Sequence, residues 1–153
     1  MKTLVVYDSV FGNTAKIAAK IAEGLETEAV HVDNVNDAML EEADLIVIGS
    51  PTRAFKPTPK IIALVDNLTP ARFGLAKLAA FDTRVNATSS KNLFMRFVDK
   101  MCYAAPWLQN KLTEKGFWVC EPPAGFFVEA SEGPVQVGEL DRAAAWAKSL
   151  PKD

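Results

Sequence analysis

The sequence predicts an α/β protein built as three layers, a doubly wound five-stranded parallel sheet with helices on both faces. Three observations carry that prediction. Short β-branched and apolar runs alternate with longer stretches whose apolar residues recur at helical spacing. Two of the runs, 44–49 and 78–82, are almost continuously apolar, as strands buried on both faces are. Finally, the chain opens with an apolar run that passes through a glycine-bearing turn into a helix.

Each element follows from its own pattern. Leu4-Val5-Val6-Tyr7 reads as the first strand, and Asp8-Ser9-Val10-Phe11-Gly12-Asn13-Thr14 as the turn after it. From Ala15 to Leu25 the residues Ile17, Ala18, Ile21, Ala22 and Leu25 share one helical face, with Lys16, Lys20 and Glu23 opposite. Ala29-Val30-His31-Val32 is the second strand, and 37–42 a short helix with Met39 and Leu40 turned inward. The third strand is Leu45-Ile46-Val47-Ile48-Gly49, followed by a helix over 60–67 through Ile61, Leu64 and Val65. Leu78 to Asp82 is the fourth strand and Gly116-Phe117-Trp118-Val119-Cys120 the fifth, with Phe126-Phe127-Val128 extending its far end. A helix over 139–150 closes the chain.

Composition bounds the function. A chain of 153 residues with 49% hydrophobic content supports one ordinary domain, 1–153, with its own core. The formal net charge of −2 gives no electrostatic footprint for nucleic acid, and no apolar segment is long enough for a membrane span. Met1-Lys2-Thr3 runs directly into a strand with no leader pattern, and Cys102 and Cys120 form no metal or redox spacing. A cytoplasmic protein is the expectation. His31, the only histidine, reads as structural or exposed rather than as a ligand.

The opening turn carries the chemistry. Helix N-termini have unpartnered N–H groups and partial positive charge, so a loop that aims them at one point is an anion site. Gly12 permits a positive φ or close approach of a ligand. Ser9 and Thr14 add hydroxyls, and Asn13 or Thr14 can cap the helix. Ser9, Gly12, Asn13 and Thr14 resemble the phosphate-binding loop of flavodoxins, where a hydroxyl-rich run ending in Gly-Asn-Thr wraps the phosphate of FMN. Val10 and Phe11 replace two hydroxyl residues of that pattern, which removes side-chain donors and leaves the backbone ones. The resemblance implies the strand order 2-1-3-4-5, with FMN at the switch point between strands 1 and 3.

Two further loops should then meet the first. Gly49-Ser50-Pro51-Thr52-Arg53 resembles the loop that borders the flavin ring in reductases of this superfamily. The resemblance implies ring contacts from Pro51, Thr52, Arg53, Ala54 and Phe55, with Phe55 stacking and Arg53 placing positive charge near the reduced ring. One-electron flavodoxins commonly carry a glycine-containing peptide here that flips on reduction. No glycine occurs between Pro51 and Pro59 and three prolines restrict the backbone, so set against that resemblance the loop implies two-electron steps. Asp82, Thr83 and Arg84 begin the third loop, either as ring contacts or as an ion pair closing the strand. The stretch 82–92 has no aromatic to cover the ring. Phe-Asp-Thr-Arg here, with Glu132-Gly133-Pro134 and Gly138 to Arg142, resembles small stand-alone flavodoxin-domain proteins of the short-chain type.

The segment 92–103 forms one apolar helical face through Leu93, Phe94, Phe97, Val98, Met101 and Cys102. Core packing is its default role; a lid, a homodimer contact through 93–103 or a docking face are the alternatives. The leading functional expectation is an FMN-binding flavoprotein that passes electrons to a redox partner protein or a small-molecule acceptor. Such a carrier needs no catalytic side chain and no metal. The alternatives are an FMN-dependent NAD(P)H:quinone-type reductase, which would make the protein an oxidoreductase, and an interaction module that has lost FMN. A phospho-receiver domain is excluded, because Gly49-Ser50 and Cys120-Glu121 stand where it needs an aspartate and a lysine.

Overall fold

A computed structural model describes residues 1–85 and 102–152. In chain order the strands are β1 (Thr3–Tyr7), β2 (Ala29–His31), β3 (Leu45–Pro51), β4 (Lys77–Val85) and β5 (Ala124–Val128). The helices are α1 (Asn13–Gly24), α2 (Asp37–Glu42), α3 (Pro59–Asn67), α4 (Pro70–Phe73), α5 (Ala104–Glu114) and α6 (Glu139–Ser149). The strands form one parallel sheet in the order β2-β1-β3-β4-β5, as the resemblance implies.

The pleat sorts side chains between two apolar layers. On one face Leu4, Val6, Ile46, Ile48, Leu78 and Ala80 meet Ile61 and Val65 of α3 and Leu108 and Leu112 of α5. On the other, Val5, Leu45, Val47, Ala79 and Phe81 meet Ile17, Ala18 and Ile21 of α1 and Ala143 and Ala147 of α6. β3 is buried from Leu45 through Ser50, which accounts for its unbroken apolar run. Each of its fully enclosed aliphatic side chains stabilises the fold by about 1.5–3 kcal/mol. Gly49 sits under the Phe81 ring, where a Cβ would fall 1.9 Å from the ring carbon Cζ.

The fifth strand departs from the sequence expectation. The run 116–120 makes only a single bridge, Val119 to Leu78, with Leu78 N donating to Trp118 O and Cys120 N to Leu78 O. Trp118 stays 56% exposed. Pro122 and Pro123 offer no N–H to a ladder, and the strand proper starts at Ala124, in register with Phe81 to Val85. Its outer edge is covered by side chains of α6. Phe127 N donates to Glu139 Oε2 at 2.7 Å, and Arg142 donates to Gly125 O. That leaves less free backbone for edge pairing. Burial works against the charge on Glu139, but the bonds from Arg142 and Phe127 N outweigh it and hold the carboxyl below its ordinary value.

Smaller differences have local causes. In α2, capped by Asn36 Oδ1 accepting from Met39 N at 2.9 Å, Leu40 is buried whereas Met39 faces solvent. β4 runs to Val85, so Asp82, Thr83 and Arg84 lie on a strand and not in a loop. The apolar segment at 92–103, with its proposed lid, core or dimer role, lies almost wholly outside the described residues. Among the described residues no helix is long and apolar enough to cross a membrane.

Candidate functional site

At the C-terminal ends of β1, β3 and β4, three segments converge on an open groove. Val10, Phe11, Asn13 and Thr14 line it from the first segment, Pro51, Thr52 and Arg53 from the second, and Thr83, Arg84 and Val85 from the third. The three segments therefore line one groove.

The opening turn is shaped by Gly12, which takes φ 93° and forms the N-cap of α1. Neither Asn13 nor Thr14 caps the helix, because both are already inside it. Ser9 does that work from outside: its Oγ accepts from Gly12 N at 3.0 Å and from Ala15 N at 3.4 Å. Among the described residues, no protein acceptor takes the N–H groups of Val10, Phe11, Asn13 or Thr14. A helix N-terminus with several unengaged donors suits a phosphate or another compact anion. The donor set thus fits the phosphate end of a ligand even though Val10 and Phe11 bring no hydroxyl.

Thr14 does not offer its hydroxyl freely to a ligand. It is 1% exposed, and its Oγ1 lies 2.7 Å from Oγ1 of Thr83, pinning α1 to the end of β4. Thr83 O in turn accepts from Thr52 N at 2.9 Å, and Thr52 Oγ1 accepts from Ala104 N at 3.1 Å. One chain of hydrogen bonds therefore joins all three segments to α5.

Asp82 is fully buried and lines no part of the groove. Its carboxylate takes a forked pair from Arg84, Nε to Oδ1 at 2.7 Å and one terminal nitrogen to Oδ2 at 2.6 Å, plus Ala105 N at 2.8 Å. Burial pushes this carboxyl above its ordinary value, while Arg84 and the Ala105 N–H pull it back. The Arg84 guanidinium also lies 3.8 Å from the Tyr103 ring centroid. Gly125 makes room for it, since a Cβ there would stand 2.2 Å from Arg84 Cζ. The ion pair at the strand end is formed, and Arg84, unlike Asp82, also lines the groove.

The second segment folds into a tight turn. Arg53 N donates to Lys56 O at 2.8 Å and Lys56 N to Arg53 O at 3.0 Å, with Ala54 and Phe55 between them at φ 48° and 68°. Positive φ at both central residues is the hairpin geometry that normally selects Asn-Gly. Phe55 rides at the tip, 60% exposed and outside the groove lining, as is Ala54. The structure does not bring Phe55 onto the groove wall.

Beside the site, Asp8 Oδ1 accepts from Ser9 N at 2.8 Å and lies 3.3 Å from His31 Nε2. His31 Nδ1 accepts from Asp33 N at 3.1 Å. The histidine holds the β1 and β2 ends together, in keeping with a structural role. The sequence reading missed the far wall, formed by Val128 and Ser131. Gly133 packs there at φ 108°, where a Cβ would fall 2.6 Å from Asn13 Oδ1. The Glu132-Gly133-Pro134 triplet was the available signal for that contact.

Comparison with known proteins agrees with this geometry. A family model described as Flavodoxin domain matches residues 4–116. A flavodoxin from Aquifex aeolicus (strain VF5) is 44% identical over 57 residues, 33% of this chain. That match spans 31% of the relative's length. Among solved structures, a flavodoxin from the domain Archaea superposes with a TM-score of 0.77 at 22% identity, covering 97% of this chain and 95% of that one. The rubredoxin oxygen:oxidoreductase of Desulfovibrio gigas gives 0.68 at 18% identity, covering 96% of this chain and 34% of that one.

Proposed function

Because the chain belongs to the flavodoxin domain family, we propose that it binds FMN in the groove at the ends of β1, β3 and β4 and serves in electron transfer. The observation that carries this reading is the set of unengaged N–H groups at the start of α1, at the wall of a groove bordered by two further segments. Ser9 to Thr14 would hold the phosphate, Gly12 setting the turn and Ser9 positioned to share its hydroxyl. Pro51 and Thr52 would border the ring, with Thr83 and the Asp82–Arg84 pair fixing the floor. When bound, FMN supplies the redox chemistry; the chain's own residues anchor, orient and partly desolvate it.

One observation favours a reductase over a pure carrier as the second reading. The 53–56 turn contains no glycine and is closed by two mutual backbone hydrogen bonds. Such a turn rearranges less readily between redox states, which favours paired-electron steps to a small acceptor such as a quinone. A redox partner protein is the acceptor expected on the carrier reading.

The test is a visible absorption spectrum of the purified protein before and after incubation with excess FMN and desalting. Retained flavin bands support the cofactor assignment. A protein that stays colourless after reconstitution refutes it and leaves the fold as an interaction module. NAD(P)H oxidation by the flavin-loaded protein, with and without a quinone, then separates reductase from carrier.

A further inference from the structure

Among the described residues two cations line the groove, Arg53 and Arg84. Arg84 is committed to Asp82. Among the described residues Arg53 makes no ion pair and no side-chain hydrogen bond. Instead its guanidinium lies over the Phe11 ring, with Cζ 5.6 Å from the centroid. Phe11 belongs to the turn that opens α1, so a side chain from the second segment crosses to the first. Arg53 shares the groove wall there with Asn13 and Thr14, the first two residues of that helix.

The turn itself offers only neutral donors: backbone N–H groups, the Ser9 hydroxyl and the Asn13 amide. Val10 and Phe11 bring none. Yet Phe11 does something a hydroxyl residue cannot, which is to seat a guanidinium on its π-face. An arginine held in this way presents a planar fork of donors matched to phosphate oxygens.

On the reading given under Proposed function, we propose that Arg53, seated on Phe11, makes the groove selective for a phosphorylated flavin. It supplies the positive charge at the phosphate that the turn's neutral donors lack. The aromatic at position 11 and the arginine at position 53 then act as one unit.

The experiment is a fluorescence-quenching titration of the flavin-free protein with FMN and, separately, with riboflavin, at low and at near-physiological salt. It uses wild type, Arg53→Gln, Arg53→Lys, Phe11→Leu and the Arg53→Gln/Phe11→Leu double variant. Wild type should prefer FMN, with an affinity that falls as salt rises. Arg53→Gln should lose FMN affinity by about tenfold, the size of one charge-assisted bond at a part-exposed site, and show a flatter salt dependence. Its riboflavin affinity should not change. Phe11→Leu should weaken FMN binding, and the double variant should be no worse than Arg53→Gln alone, since coupled residues are not additive. Arg53→Lys should recover part of the loss.

Equal losses for both flavins would place Arg53 against the ring and overturn the proposal. Unchanged FMN affinity in Arg53→Gln would overturn it too, as would strict additivity with Phe11→Leu. A wild type that binds neither flavin refutes the cofactor assignment itself. A wild type that binds FMN while Arg53→Gln is undiminished refutes this proposal alone.

Discussion

Removing the Asp82 carboxylate tests how far the floor of the groove depends on a single buried ion pair. In Asp82→Ala the Arg84 guanidinium, whose side chain is only 13% exposed, loses both carboxylate bonds, and Ala105 N loses its acceptor. Stacking on Tyr103 remains but does not satisfy the guanidinium's donors. Breaking one side of a buried pair costs about 3–5 kcal/mol, a large share of the roughly 5–15 kcal/mol that holds an ordinary domain together. For a chain of 153 residues that is a fall in melting temperature of roughly 10 °C. The assay is urea unfolding followed by circular dichroism, in which the midpoint should drop and the slope stay constant. Replacing both partners with apolar residues, Asp82→Leu with Arg84→Met, should recover most of the loss, because no charge is then left buried alone. A loss under about 1 kcal/mol in Asp82→Ala would refute the argument. It would mean that Arg84 swings to solvent and that the pair contributes no more than an exposed one.

Three further outcomes follow from the same geometry. Thr14→Val leaves the buried Thr83 hydroxyl without its 2.7 Å partner and should cost about 1–3 kcal/mol, whereas Thr14→Val with Thr83→Val should cost less; chemical denaturation of both variants checks this. Gly12→Ala should destabilise by about 1–2 kcal/mol, purely from the backbone at φ 93°, since nothing lies within 4 Å of a Cβ there. Gly12→Asn should cost less, because asparagine tolerates that conformation; thermal melts of the two variants check the difference. The depressed Glu139 carboxyl adds stability at pH values above its ordinary 4.5 and loses it as pH falls through the lower folded value. Acid titration of stability for wild type minus Glu139→Gln should show that loss, and the subtraction removes Asp82, whose raised carboxyl contributes with the opposite slope.

The layered fold was legible because burial on two faces leaves a compositional trace. β3 is enclosed from Leu45 to Ser50 and reads as an unbroken apolar run, and α1 shows its buried face at Ile17, Ala18 and Ile21. The fifth strand was legible only at its far end, Phe126 to Val128, for the converse reason. Phe117 and Cys120 are buried, so their neighbourhood has strand composition, yet they sit on a connection that touches β4 at one bridge. The real strand, Ala124-Gly125-Phe126-Phe127-Val128, carries a glycine that weakens any strand pattern. That glycine is there because Arg84 crosses the strand, a contact between residues 41 positions apart that no local pattern reveals.

The site shows the same division between local and long-range signals. Gly12 announced itself, because a positive φ at a helix N-cap selects glycine at a single position. Thr14 was picked out by its place in the turn, and Thr83 and Asp82 by the loop after the fourth strand that the resemblance implies, but their roles were not legible. A hydroxyl or carboxylate reads alike whether it faces a ligand or a buried partner, and here each has a buried partner. Phe55 misled in the opposite direction. Its aromatic character suggested a ring contact, whereas two backbone hydrogen bonds close a turn that sets it at the exposed tip. Phe11 was read only as a lost hydroxyl. Its contact with Arg53 links two segments separated by two strands and a helix pair, and it becomes visible only when β1 and β3 are placed side by side. The position where the sequence departs most from the resembling motif is thus the one where this structure adds a cation to the groove.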